Sequence, residues 1–248
     1  SSRAFYYSRS FNLVGVKMID KVVNFEHEIL IPKCDSYIKN VILSNGKWEK
    51  NVYTAYKEIL NKDSIVIEVG AHVGTHTVEI AKLSKHVYTF EIQRFLNQLL
   101  SYNLINNECF NVTNFLEIVG NDNNILPIEE ISYDDDRIFN TGVMTVQGLN
   151  KPWGYPVLQT RLDDKFNFLN KCNLLKIDAE GSEVNIIKGA LQLINKTKPA
   201  ILVEFDGDKD KQEMLDLLPN YKFKDVIDTY STETVVYENK MMIGEYLK

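Results

Sequence analysis

From residue 63 onward, short unbroken apolar runs alternate with segments whose apolar residues recur every three or four positions. Ser64-Ile65-Val66-Ile67 opens a run over 64–69 that reads as a strand buried on both faces. A helix is predicted at about 75–84, a second strand at 86–91, and then a helix with Phe95, Leu99, Leu100 and Leu104 on one face. The third strand is read at 111–118 and the fourth at 174–178, followed by a helix at 182–194 carrying Val184, Ile187 and Leu191. A fifth strand falls at 200–205, and a helix at 209–218 stops at Pro219. Residues 221–228 and 233–240 read as two closing strands. Repeated strand–helix units predict an α/β fold: a mostly parallel sheet, helices on both faces, and an antiparallel C-terminal strand.

Residues 1–60 follow another pattern. Residues 22–32 read as strand, Asn45-Gly46 as a turn, and 48–60 as a helix with Val52, Ala55, Tyr56, Ile59 and Leu60 at helical spacing. No linker composition separates this part, so it is expected to be a small cap packed on a main domain at 61–248. The stretch 121–160 interrupts the rhythm and reads as an insertion, with Asp134-Asp135-Asp136 in it and a strand at Thr141 to Gln147. Tyr6, Tyr7 and Phe11 are available to pack on this region or on a second subunit, so a homodimer is open.

Composition narrows the function classes. The 248 residues are 44% apolar, enough for one large domain or two small ones. A formal net charge of −6 provides no general basic surface for nucleic acid. Cys34, Cys109 and Cys172 share no motif spacing and read as free thiols in a reducing, cytoplasmic setting. No apolar run approaches transmembrane length, and Ser1-Ser2-Arg3 lacks the apolar core of a signal peptide, so no membrane insertion is expected.

Three stretches carry the chemistry. Glu68-Val69-Gly70-Ala71-His72-Val73-Gly74-Thr75-His76-Thr77 is a glycine turn between strand and helix, the place where an α/β protein brings a nucleotide against bare backbone. Its Gly-x-x-x-Gly spacing is neither the dinucleotide fingerprint nor a phosphate-binding loop, and counts against a nicotinamide oxidoreductase. An acid before the turn repels phosphate and suits a cationic ligand such as S-adenosylmethionine. Glu91 ends the second strand 21 positions after Gly70, the usual place for an acid that accepts from ribose hydroxyls. Asp178, Glu180 and Glu183 gather at the end of the fourth strand, where ligands of open α/β sheets bind. Zinc at His72 and His76 lacks the required neighbouring ligands, and magnesium at Asp178, Glu180 and Glu204 has no support; no metal is expected. Trp48, Glu49, Trp153 and Tyr155 are read as a substrate rim, since aromatic faces stack on sugar rings.

In this order the stretches resemble the FkbM family of methyltransferases: Glu68-Val69-Gly70-Ala71-His72-Val73-Gly74, then Phe90-Glu91, then Lys176-Ile177-Asp178-Ala179-Glu180-Gly181-Ser182-Glu183. Thr160-Arg161-Leu162-Asp163-Asp164 and Leu202-Val203-Glu204 add to the likeness, which spans about 63–205. Glu68 stands where Asp is commoner, and no proline follows Phe90-Glu91-Ile92-Gln93. The resemblance implies a class I, Rossmann-like methyltransferase fold and O-methylation, with S-adenosylmethionine as donor and S-adenosylhomocysteine as product. It places Glu68, Gly70, Ala71, His72, Gly74 and Thr75, with Asp178, at the methionine end. Glu91 goes to the ribose, Ile92 beside the adenine, and Asn121 or Asp122 at its amino group. Asp178, Glu180 and His76 are the candidates for the base that takes the acceptor's proton. The expected partner is a small molecule or carbohydrate, without nucleic acid. The alternatives are a methyltransferase for RNA ribose or protein, and a binder of the cofactor without turnover.

Overall fold

The computed structural model describes residues 18–133, 139–205, 207–231 and 236–247. Tyr6, Tyr7, Phe11 and Asp134-Asp135-Asp136 lie outside them. The first described elements are the antiparallel strands β1 (Ile19–Asn24) and β2 (His27–Pro32). They correct the single strand expected over 22–32. Phe25 adopts a left-handed φ of 56°, its N–H donates to the Gly46 carbonyl at 2.9 Å, and the chain turns back. Helices α1 (Ile38–Asn45) and α2 (Lys50–Ile59) follow. Asn45-Gly46 closes α1 through a left-handed C-cap at Gly46 instead of making a hairpin.

The alternation then unfolds as expected: β3 (Ile65–Val69), α3 (Thr77–Leu83), β4 (His86–Phe90), α4 (Arg94–Asn106) and β5 (Val112–Phe115). The insertion supplies β6 (Ile118–Val119), β7 (Asn124–Ile128), α5 (Val146–Leu149) and β8 (Tyr155–Thr160). After α6 (Leu162–Lys165) come β9 (Leu174–Ile177), α7 (Glu183–Lys188), α8 (Leu191–Thr197), β10 (Ala200–Glu204), α9 (Asp208–Leu217), β11 (Tyr221–Ser231) and β12 (Val236–Tyr246).

The main sheet has the order β11-β12-β10-β9-β3-β4-β5. Strands β10, β9, β3, β4 and β5 are parallel, and β12 is antiparallel to both β10 and β11. The chain winds outward from β3 to β5 and then returns to β9, so the order reverses between β3 and β9 and opens a crevice at their carboxyl ends. Both faces of the sheet are covered. Val66, Val87, Leu174 and Leu202 join one apolar cluster with the β1–β2 hairpin, α1, α2, α3 and α4; Ile67, Leu175, Ile177 and Ile201 join another with α7, α8 and α9. Burial on both sides explains why the strands read as unbroken apolar runs. Among the described residues no helix is long and apolar enough to cross a membrane.

Two further expectations are corrected. The helix read at 182–194 is split at Gly189-Ala190. A Cβ on Gly189 would fall 2.0 Å from the Gly120 carbonyl oxygen, and the Gly189 carbonyl accepts from Asp163 N at 2.9 Å, so close packing against the insertion breaks the helix. Thr141 to Gln147 is not a strand. The insertion instead forms a small sheet, β6-β8-β7, in which Pro127 lies opposite Pro156. Neither proline has an N–H to give the ladder, which kept these strands from showing in the pattern.

Candidate active site

The glycine turn leaves β3 by turning left three times, at Gly70 (φ 83°), His72 (φ 52°) and Gly74 (φ 92°). Gly70 N and Ala71 N both donate to the Phe90 carbonyl at 3.0 Å, tying the turn to β4, and Asp178 N donates to the Val69 carbonyl at 3.0 Å, tying it to β9. Gly70 passes so close to β9 that a Cβ there would lie 1.6 Å from the Asp178 carbonyl oxygen. A cavity of about 510 Å³ opens at this junction, within the range of small-molecule sites. Gly70, Ala71, His72, Thr75, His76, Glu91, Ile92, Asp178 and Glu180 all line it, as do Trp48 and Glu49.

Beneath the cavity, Lys176 is fully buried, with its Nζ 2.9 Å from Asp178 Oδ2 and 4.0 Å from Glu68 Oε1. Burial alone would lower its pKa, but Asp178, Glu68 and Glu49 outweigh burial and hold the ammonium above its ordinary value. Burial would likewise raise Asp178; Lys176, by charge and hydrogen bond, holds that carboxyl below its ordinary range. Glu68 is also fully buried, its Oε2 accepting from Thr77 Oγ1 at 2.7 Å and Thr89 Oγ1 at 3.0 Å. It underpins the floor and does not line the cavity. Glu204 at the end of β10 is pushed up to about 11, first by burial and then by Asp178, Glu180 and Glu183, so it keeps its proton at neutral pH and hydrogen-bonds Asp178. Carboxyl oxygens of Asp178, Glu180 and Glu204 lie within 4.8 Å of one another.

At the opposite wall, Glu91 accepts from Gln93 N at 2.7 Å and from His72 N at 2.9 Å. Burial pushes its carboxyl up to about 7 against the pull of these backbone donors. Tyr155 does not line the cavity; its hydroxyl donates to the Ile92 carbonyl at 2.8 Å and accepts from Arg94 N at 3.1 Å, so it props Ile92 from behind. Asn121 and Asp122 are exposed in the turn after β6 and lie away from the cavity. The residues that follow β5 there are Glu117, Ile118 and Val119, with Lys165 Nζ held 2.9 Å from both Glu117 oxygens. The reason is a strand boundary: β5 ends at Phe115, not at 118, so the bend comes earlier.

One wall was not legible in the sequence, and in a second the residues were named but their pairing was not. The stretch carrying Gly142, Val143 and Met144 closes one side. Thr141 anchors it: its hydroxyl donates to Asp35 Oδ2 and therefore accepts from His72 Nε2 at 2.7 Å, while Gln93 Nε2 donates to its carbonyl at 3.3 Å. Nε2 of His72 therefore carries a proton, and burial lowers the ring's pKa against the pull of Asp35 and Asp178. On the other side, His76 Nε2 lies 2.8 Å from Glu49 Oε2, with both side chains buried. Glu49 takes a left-handed φ of 43° as the N-cap residue of α2, and Asp228 on β11 accepts from Asn51 N at 2.9 Å and Val52 N at 3.2 Å to fix that helix end. Trp48 is buried against the cavity, whereas Trp153 is exposed, 72%, with its indole N–H donating to Glu129 outside it.

A Rossmann-like sheet, a crevice at its switch point and walls of acids and open main chain define an S-adenosylmethionine-dependent methyltransferase. The chain belongs to the FkbM methyltransferase family, whose model, described as "Methyltransferase FkbM domain", matches residues 68–227. It is 29% identical over 131 residues to "Ribosomal RNA small subunit methyltransferase A" of Halothermothrix orenii, covering 52% of this chain and 40% of that protein. The chain thus spans less than half the length of that relative. Among solved structures, a precorrin-6y C5,15-methyltransferase from Geobacter metallireducens is similar with a TM-score of 0.52 at 11% identity, over 82% of this chain and 89% of that one. A methyltransferase FkbM from Methylobacillus flagellatus gives 0.50 at 16% identity, over 73% and 43%. The relatives carry names for different acceptors, RNA and a precorrin; the class of reaction comes from the family match, and the acceptor is left open.

Proposed function

We propose that this protein methylates a hydroxyl of a sugar, glycan or small metabolite. The observation that carries the reading is the His76–Glu49 pair in the wall of an acid-lined cavity. When bound, S-adenosylmethionine supplies a methyl group on a cationic sulfur, an electrophile that needs an in-line oxygen nucleophile. Asp178 and the open main chain of Gly70 and Ala71 hold its methionine end, and Glu91 accepts from its ribose hydroxyls. In the transfer the acceptor oxygen would bond to the methyl carbon as the carbon–sulfur bond breaks, S-adenosylhomocysteine would leave as a neutral thioether, and the hydroxyl proton would pass to a base of this chain. Of the three candidate bases, Asp178 is committed to the Lys176 ammonium and is a weak proton acceptor. Glu180 adds negative charge beside it. His76 takes the proton, with Glu49 balancing the charge that appears on the ring. The reaction needs no metal in this reading, because Lys176 and the Glu204 proton already offset the carboxyl cluster. Turnover lost on chelation and restored by magnesium would reverse that point.

An RNA acceptor is the rival. A phosphate backbone meets Glu49, Asp178 and Glu180 at the cavity, and that repulsion favours an uncharged hydroxyl partner at the transfer point. Radiolabelled methyl transfer to a panel of free sugars, nucleotide-linked sugars and RNA transcripts separates the two. With the acceptor so found, His76→Gln lowers turnover by about 10²–10⁴-fold while donor affinity, read by calorimetry, stays within about twofold. Unchanged turnover removes His76 as the proton acceptor.

Glu91 gives a pH signature. Its folded-state pKa is raised to about 7, so below that pH it carries a proton and loses acceptor capacity. Donor binding therefore strengthens as pH rises through neutrality, and Glu91→Gln abolishes the dependence. A flat affinity profile in the unmodified protein takes Glu91 away from the ribose.

A further inference from the structure

A second hollow, of about 290 Å³, lies between α2 and the β1–β2 turn. Its walls carry Phe25, Lys47, Lys50, Tyr53, Lys57 and Glu58. Lys50, Tyr53 and Lys57 share one face of α2 because steps of three and four residues return to the same side. The rings and ammonium groups stand in a row: Lys47 Nζ lies 5.5 Å from the Phe25 ring centre, Phe25 lies 4.4 Å from Tyr53, and Lys57 Nζ lies 5.4 Å from Tyr53. Phe25 reaches its place only through a left-handed backbone, a conformation that a bulky residue rarely adopts. Cations held over ring faces lose less freedom when they meet an anion. Three lysines and one carboxylate, Glu58, line the hollow, and Glu79 and Glu26 act on Tyr53 from beside it, so the ammonium groups are concentrated along the lining itself, in a chain whose net charge is −6.

Its position matters as much as its charge. Lys47 and Lys50 bracket Trp48 and Glu49, which wall the main cavity. The two hollows are thus neighbours across one short stretch of chain, one lined by acids and the other by lysines. A molecule with a neutral hydroxyl end and an anionic end is sorted by this pair: the acids repel the anion and the lysines hold it.

We propose that the lysine hollow binds the phosphate or diphosphate group of the acceptor, which makes the substrate a phosphoester-bearing carbohydrate, either a sugar phosphate or a nucleotide-linked sugar. This rests on the carbohydrate-hydroxyl reading above and narrows it. Inorganic pyrophosphate is the probe, titrated into the full chain by calorimetry at low and at raised salt. Binding is expected, weaker at raised salt, and at least about tenfold weaker in the combined Lys47→Gln, Lys50→Gln, Lys57→Gln variant. No heat from the unmodified protein, or equal affinity in the variant, overturns the proposal. S-adenosylmethionine is titrated into both proteins in parallel. Equal donor affinity in the two shows that the variant keeps its fold and main cavity; absence of donor heat in the unmodified protein fails the cofactor reading instead, without touching the pyrophosphate result. A single-stranded oligoribonucleotide of about 20 residues is the third arm, expected to bind no tighter than pyrophosphate. Binding more than about tenfold tighter with the same lysine dependence assigns the hollow to a nucleic-acid backbone and overturns the carbohydrate assignment.

Discussion

Lys176→Met lowers folding stability by about 3–5 kcal/mol. The ammonium is fully buried and is the cation between Glu68 and Asp178, 4.0 and 2.9 Å away. Methionine matches the stem but leaves both carboxylates uncompensated beneath the cavity. For a domain of this size the midpoint of thermal unfolding falls by roughly 6–20 °C. The pH dependence has a definite sign. In the unmodified protein Asp178 is held below its unfolded pKa, so its contribution is present above that value and is lost as pH falls through the folded one. In the variant the same carboxyls are pushed up, so they bind protons that the unfolded chain releases, and the variant loses stability as pH rises. Adding Glu68→Gln and Asp178→Asn to Lys176→Met recovers most of the loss, because a neutral buried cluster costs far less than an unpaired charged one. A thermal midpoint unchanged by the single substitution would show that Lys176 does not balance these acids.

Gly70→Ala has the second large effect, and it falls on the cofactor. The new methyl group would lie 1.6 Å from the Asp178 carbonyl oxygen and 2.7 Å from its carbon, and both atoms are backbone. No rotamer change relieves such a contact, so either the turn or the end of β9 must move. The backbone at φ 83° adds a left-handed penalty of about 1–2 kcal/mol. Donor affinity falls by at least about a hundredfold, since an ångström of displacement is enough for that at a fitted site. Gly46→Ala is the control: φ is 70°, nothing lies within 4 Å of the added carbon, and only the conformational penalty of about 1 kcal/mol applies. If Gly70→Ala binds donor as the unmodified protein does, the turn does not cradle the cofactor.

The parallel core was legible in the sequence because burial on both faces leaves a periodic signature that needs no partner to be read. Val66-Ile67 and Leu174-Leu175 send alternate side chains to the two apolar clusters, and the order of strands follows from their helical connections. The glycine turn, Glu91 and Asp178 were legible for a related reason: each stands where its own strand ends. What escaped depends on contacts between distant segments. Nothing around Thr141 announces a wall residue, since its role is set by Asp35 and His72. Glu68 belongs to the glycine motif, yet Thr77, Thr89 and Lys176 draw its carboxylate under the floor. Asn121 and Asp122 were misplaced because β5 ends three residues sooner than its apolar pattern suggests, at Phe115 rather than 118. The β1–β2 turn was hidden because Phe25 stands where a short polar residue or glycine is the ordinary choice.

The hydroxyl of Thr141 joins three pieces of chain that are remote in sequence, at residues 35, 72 and 141. Contacts that close such long loops are made late, after the local helices and neighbouring strands have formed. A nascent or partly opened chain in which these contacts are unmade lacks one side of the cavity. Occupancy becomes a readout of complete folding, and the donor acts as a ligand-dependent stabiliser whose protection grows with the logarithm of its concentration.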